Sequence, residues 1–164
     1  LAIRRLAEMW KLYAALPGMP SVYYGDEAGL CGFTDPDSRR AYPWGREDME
    51  LIAFHKAAIS LRKEYPVLRH GSLKQLYGAY GVLAYGRFDE TEKILVALNN
   101  TEEIRTVSIP VWQMGVQAEG TLQNCLMTNR DGFTVFGFSY PVRNGNVLLS
   151  LPPKSAMAPP GYSN

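Results

Sequence analysis

The chain has 164 residues, 46% of them apolar and 20% charged, with a formal net charge of +1. That length and composition suit one globular domain or one and a half. They argue against a nucleic-acid partner, which calls for clustered Lys and Arg, and against a membrane span, because no apolar run is long enough to cross as a helix.

Residues 1–16 read as a helix: Leu6, Met9, Trp10, Tyr13 and Leu16 recur at three- and four-residue spacing. Ile3, Ala7, Leu12 and Ala14 widen the apolar stripe, and Pro17-Gly18 stops it. The chain opens without Met and already in helical rhythm, as expected of a cut end with any targeting signal upstream. Residues 21–25, Ser-Val-Tyr-Tyr-Gly, have strand composition between turn residues. A lone strand cannot satisfy its own ladder, so this one requires parallel neighbours. The first 65 residues therefore read as the last segment of a larger α/β domain.

Residues 26–46 form a loop long enough to be functional or disordered, and Phe33, Tyr42 and Trp44 argue for order. A second helix follows over 47–64. Glu47, Asp48 and Glu50 sit where the helix dipole favours anions. Leu51, Phe54, His55, Ala58 and Leu61 form its inner face, Arg62 and Lys63 its last turn, and Pro66 ends it.

After residue 69 the rhythm changes to short strand-like runs, predicted at 73–77, 82–88, 93–99, 105–111, 121–127, 133–138, 146–151 and 156–159. Asn99-Asn100, Asp131-Gly132 and Asn144-Gly145 supply turns between them. Short strands at this spacing predict an antiparallel β-sandwich.

Two blocks carry a family resemblance. Residues 16–27, LPGMPSVYYGDE, resemble the eighth strand of the (β/α)8 barrel in the α-amylase family of glycoside hydrolases. The following Asp35-Pro36-Asp37-Ser38-Arg39-Arg40 and Trp44 resemble the next loop in its neopullulanase, cyclomaltodextrinase and maltogenic-amylase branch. Leu98-Asn99-Asn100 and Leu151-Pro152-Pro153-Lys154-Ser155-Ala156 resemble that branch's C-terminal sandwich. The resemblance implies an α+β fragment: the last strand and two flanking helices of a (β/α)8 barrel over 1–68, then an antiparallel β-sandwich over 69–164. Barrel active sites lie at the C-terminal ends of the strands, the side from which the 26–46 loop departs.

The resemblance further implies that Asp35 and Arg39 bind glucose on the non-reducing side of the cleavage point. The chemistry is suitable, since a carboxylate accepts from vicinal hydroxyls and a guanidinium donates a fork. The competing role is an ion pair that merely pins the loop. Asp37 and Arg40 read as residues that shape the loop, and Trp44 as packing beneath it.

Asp26-Glu27 is a tempting carboxylate pair, but adjacent residues of an extended segment point to opposite faces, so a structural role is expected. His55 and His70 read as core and surface residues rather than catalysts. Cys31 and Cys125 read as free thiols of a reducing compartment, which makes a cytoplasmic location the expectation. No metal or other cofactor is expected.

In the family, the nucleophile, acid/base and stabilising carboxylates sit on earlier barrel strands. No catalytic residue is therefore expected in this chain, which should be inactive alone. Its expected partners are α-glucan oligosaccharides, linked α-1,4 and in part α-1,6, and the preceding part of the same enzyme, with self-association when that part is missing. Neither nucleic acid nor membrane is expected as a partner. The alternative is a non-catalytic carbohydrate-binding or structural sandwich module. A barrel-like partner of an amino-acid transporter shares the family fold, but the Asp35–Arg39 signature argues against it.

Overall fold

The computed structural model describes residues 15–129, 131–135 and 137–158. The helix expected over 1–16 lies outside them except for its last two residues. Helix α1 runs Met49–Glu64, close to the predicted span. Asp48 caps it, its carboxylate accepting from the Leu51 N–H at 3.0 Å. Tyr65 and Pro66 close it, and a four-residue helix α2, Val67–His70, turns the chain toward the sheets. The buried face of α1 is Leu51, Phe54, His55, Ala58 and Arg62. Leu61, expected inside, is only half-buried, and the buried arginine departs from the sequence reading.

Ten strands follow: β1 (Ser72–Ala79), β2 (Val82–Phe88), β3 (Lys93–Asn99), β4 (Arg105–Ile109), β5 (Gly120–Gln123), β6 (Leu126–Thr128), β7 (Phe133–Thr134), β8 (Ser139–Arg143), β9 (Asn146–Leu151) and β10 (Ser155–Ala158). They form a six-stranded sheet in the order β1-β2-β3-β10-β6-β7 and a four-stranded sheet in the order β4-β9-β8-β5. Every recorded pairing is antiparallel.

The core lies in two layers. Leu95, Ala97, Ala84 and Met157 of the larger sheet meet Ile109, Leu122, Leu149 and Leu151 of the smaller one. On the other face of the larger sheet, Tyr85, Ile94, Val96, Leu126 and Ala158 pack against Leu51, Phe54 and Ala58 of α1 and Val67 and Leu68 of α2. Burial on both faces explains why β3 reads as a continuous apolar run, Ile-Leu-Val-Ala-Leu, rather than an alternating one.

Turn chemistry sets the β8–β9 register. Asn144 and Gly145 both have positive φ, 50° and 73°, as a two-residue hairpin matching the twist of its strands requires. The two family-like blocks of the sandwich touch. The Asn99 side-chain amide donates to the Leu151 and Pro152 carbonyls at 3.0 and 2.9 Å, and the Lys154 ammonium donates to the Asn100 carbonyl at 2.7 Å.

Four strand expectations need correction. The strand over 21–25, the barrel strand of the sequence reading, does not form; residues 21–23 are irregular and a turn begins at Tyr24. No parallel neighbour is present among the described residues to complete its ladder. The 105–111 run ends at Ile109, because Pro110 has no N–H to donate and Val111–Met114 coils into a 3-10 turn. The 121–127 run is two strands, β5 and β6, in different sheets. The 133–138 run shortens to β7, and β8 was not anticipated.

Candidate functional site

The loop before α1 is built from local turns. Gly25 adopts φ 89° and the chain folds over it, Leu30 N–H donating to the Gly25 carbonyl at 2.8 Å. The Glu27 carboxylate turns back to accept from the Gly25 N–H at 3.0 Å. Glu27 thus serves the turn, in keeping with the structural role expected of Asp26-Glu27. At the far end the Asp48 N–H donates to the Ala28 carbonyl at 3.1 Å, which closes the loop against α1.

Residues Asp37–Arg39 make one 3-10 turn, with Arg39 N–H donating to the Pro36 carbonyl at 3.0 Å. That turn brings Asp35 and Arg39 together. Arg39 Nε and Nη2 donate to the two Asp35 oxygens at 3.2 and 2.7 Å, and the Ser38 hydroxyl also donates to Asp35. The Ser38 hydroxyl and then the Arg39 guanidinium hold the Asp35 carboxyl below its ordinary value, against a small opposing effect of desolvation. A second pair interleaves with the first: Asp37 accepts from Arg40 Nε at 2.7 Å and from the Phe33 N–H at 3.1 Å. The Tyr24 hydroxyl donates to the Arg40 carbonyl at 3.0 Å and so ties the preceding segment to this turn.

Both members of the Asp35–Arg39 pair are open to solvent, their side chains 59% and 70% exposed. A two-point fork leaves the pair one planar, charged surface with unused donors on Arg39 Nη1 and unused lone pairs on Asp35. Polyhydroxylated ligands can add to such a surface without dismantling it.

Trp44 corrects an expectation: it is 79% exposed rather than packed beneath the loop, and its ring lies against Tyr42 with centroids 4.5 Å apart. The Tyr42 hydroxyl is raised above its usual value by desolvation, with help from Glu27 and Glu47. The loop therefore presents an ion pair, an exposed indole, and Phe33, also exposed.

His55 is buried, with Nδ1 2.8 Å from the Leu51 carbonyl of its own helix, and His70 is exposed after α2. Neither meets the Asp35–Arg39 pair through a recorded hydrogen bond. Cys31 and Cys125 are free, and burial pushes the Cys125 thiol up to about 12. Among the described residues no three His, Cys, Asp or Glu side chains group as metal ligands. Sequence reasoning missed Ser38 as a partner of Asp35. It also missed Arg87, fully buried in β2, although a lone arginine inside the apolar run Val-Leu-Ala-Tyr-Gly-Arg-Phe was a visible signal.

No family model matches the chain. An amylopullulanase of Thermoanaerobacter thermohydrosulfuricus is 36% identical across 97% of this chain, and neopullulanase 2 of Thermoactinomyces vulgaris is 32% identical across 85%. The chain spans only 12% of the amylopullulanase and 23% of the neopullulanase. Among solved structures, an α-amylase of Anoxybacillus superposes over 100% of this chain and 33% of its own, with TM-score 0.84 at 27% identity. Sequence and fold agree: this chain is homologous to part of the α-amylase-family glycoside hydrolases, and its sheets match their C-terminal domain. More particularly, its relatives carry the names amylopullulanase, cyclomaltodextrinase, neopullulanase and maltogenic amylase.

Proposed function

We propose that this chain is the C-terminal part of an α-glucan-hydrolysing enzyme, contributing the last segment of a (β/α)8 barrel over 1–68 and a β-sandwich over 69–164. In that reading the parent is a retaining α-1,4 glycosidase, with α-1,6 links as a further substrate. Its catalytic carboxylates lie outside this chain, which is inactive by itself. The observation that carries the reading is the alignment of nearly the whole chain with a small part of much longer glycosidases. It is supported by a neighbour of the same fold, the α-amylase of Geobacillus thermoleovorans, whose structure was solved with acarbose bound.

Asp35 and Arg39 are the substrate-binding residues of this reading. Exposure suits them to it, since a pair that only pinned the loop gains little from lying in water. In the full-length enzyme, Asp35→Ala lowers kcat/KM on maltooligosaccharides by about ten- to a hundredfold, the scale of one or two charged hydrogen bonds to sugar. Unchanged kinetics leave the pair with pinning alone.

A further inference from the structure

Arg87 and Arg62 stand out as buried cations. Arg87 is fully inaccessible near the C-terminal end of β2, and among the described residues no carboxylate pairs with it. Its donors go to backbone carbonyls: Nη1 to Ala15 at 2.6 Å and to Leu68 at 2.8 Å, Nη2 to Gly71 at 2.8 Å and Nε to Ser72 at 3.3 Å. Arg62, on α1, donates to the same Leu68 carbonyl at 2.7 Å, to Leu16 at 3.2 Å and to Gly18. Burial first, and then the nearby Arg62 guanidinium, lower the proton affinity of Arg87, while burial and then Arg69 lower that of Arg62. Keeping two like charges inside is costly unless carbonyls replace their water.

Those carbonyls are not scattered. One set, Ala15, Leu16 and Gly18, lies directly before the segment that leads into the candidate site. The other, Leu68, Gly71 and Ser72, lies where α2 passes into β1. The segment held at Gly18 next meets the Asp35–Arg39 turn through the Tyr24 hydroxyl on the Arg40 carbonyl. A continuous set of contacts thus runs from β2 to the loop.

We propose that Arg87 and Arg62 are positioning residues for the Asp35–Arg39 loop, fixing the backbone at residues 15–18 against the sandwich. This rests on the glucose-binding reading of that loop. Arginine suits the task because it offers five donors in a rigid fork. Lysine keeps the charge but has three donors at a point and cannot span four carbonyls.

The test uses the full-length enzyme with Arg87→Lys, Asp35→Ala and the double variant; Arg62→Lys replaces Arg87→Lys if the latter does not fold. Arg87→Lys raises KM for maltooligosaccharides about three- to tenfold with kcat nearly retained, and adds little once Asp35 is alanine. Amide hydrogen exchange at 16–40 accelerates while that of β2 and β3 does not. Multiplicative losses in the double variant, or unchanged exchange at 16–40, overturn the proposal and leave Arg87 a core residue. If Asp35→Ala alone has no kinetic effect, the glucose-binding reading has failed. Exchange at 16–40 then decides the role of Arg87 by itself: faster exchange supports it and unchanged exchange refutes it.

Discussion

Asp35 accepts from three donors of its own loop, the Ser38 hydroxyl and two nitrogens of Arg39, although its side chain is more than half exposed to water. Its proton affinity is therefore a local matter. The sign follows from the direction of the shift: a carboxyl whose folded value is depressed contributes its bonds above the unfolded value, 3.8, and loses them as pH falls through the folded one. A carboxyl NMR titration of the chain should place the Asp35 midpoint below 3.8, and Ser38→Ala should move it upward, because the hydroxyl is the largest single cause. A midpoint unmoved by Ser38→Ala means that the turn does not hold its hydroxyl on the carboxylate in solution. The same turn shows why Ser38 escaped the sequence reading. Spacing picks out oppositely charged residues four apart, whereas a hydroxyl three residues on becomes a partner only once a 3-10 turn has formed.

Among the elements, Asn99 at the end of β3 joins three segments. Its amide nitrogen donates to the carbonyls of Glu103, Leu151 and Pro152, and its oxygen accepts from the Thr101 N–H and hydroxyl. Removing one buried amide strands several partners at once, and an unsatisfied buried group costs more than a bond contributes. Asn99→Ala should lower unfolding stability by about 2–4 kcal/mol in a denaturant titration, while Asn100→Ala, at an exposed position, stays within about 0.5 kcal/mol. Equal effects at the two positions contradict the lock.

Several elements were legible in advance. β2, β3 and β9 have the bounds that residue pattern predicted, and α1 differs only at its start. The failures have physical causes. β8 buries one residue of five and contains Pro141, so no alternation marks it. Nothing in the apolar pattern of 121–127 reveals that the chain changes sheets between Gln123 and Leu126. The Asp35–Arg39 meeting was legible from residue type and spacing; the exposure of Trp44 was not, since an indole in a loop fits either burial or display.

At the scale of the whole molecule, apolar exposure is uneven. Met19, Val22, Tyr23, Tyr24, Phe33, Trp44 and Met49 are exposed within 31 consecutive residues, whereas the exposed large apolar residues of the sandwich, Leu73 to Leu148, are spread over more than twice that length. The sandwich pairs its strands into two sheets and encloses a core between them, but residues 19–46 form no strand and rely on short local turns. Concentrated apolar surface of this kind marks a region that another polypeptide covers, and in the proposed reading that polypeptide is the rest of the barrel. The 164-residue chain alone should therefore self-associate with rising concentration in light scattering. Its amides at 19–46 should exchange fast and those of β2, β3 and β9 slowly. In the full-length enzyme the same 19–46 amides should become protected while the sandwich hardly changes. A monodisperse monomer already protected at 19–46 would mean that these residues need no cover, and the assignment of 1–68 to a larger barrel would lose its physical basis.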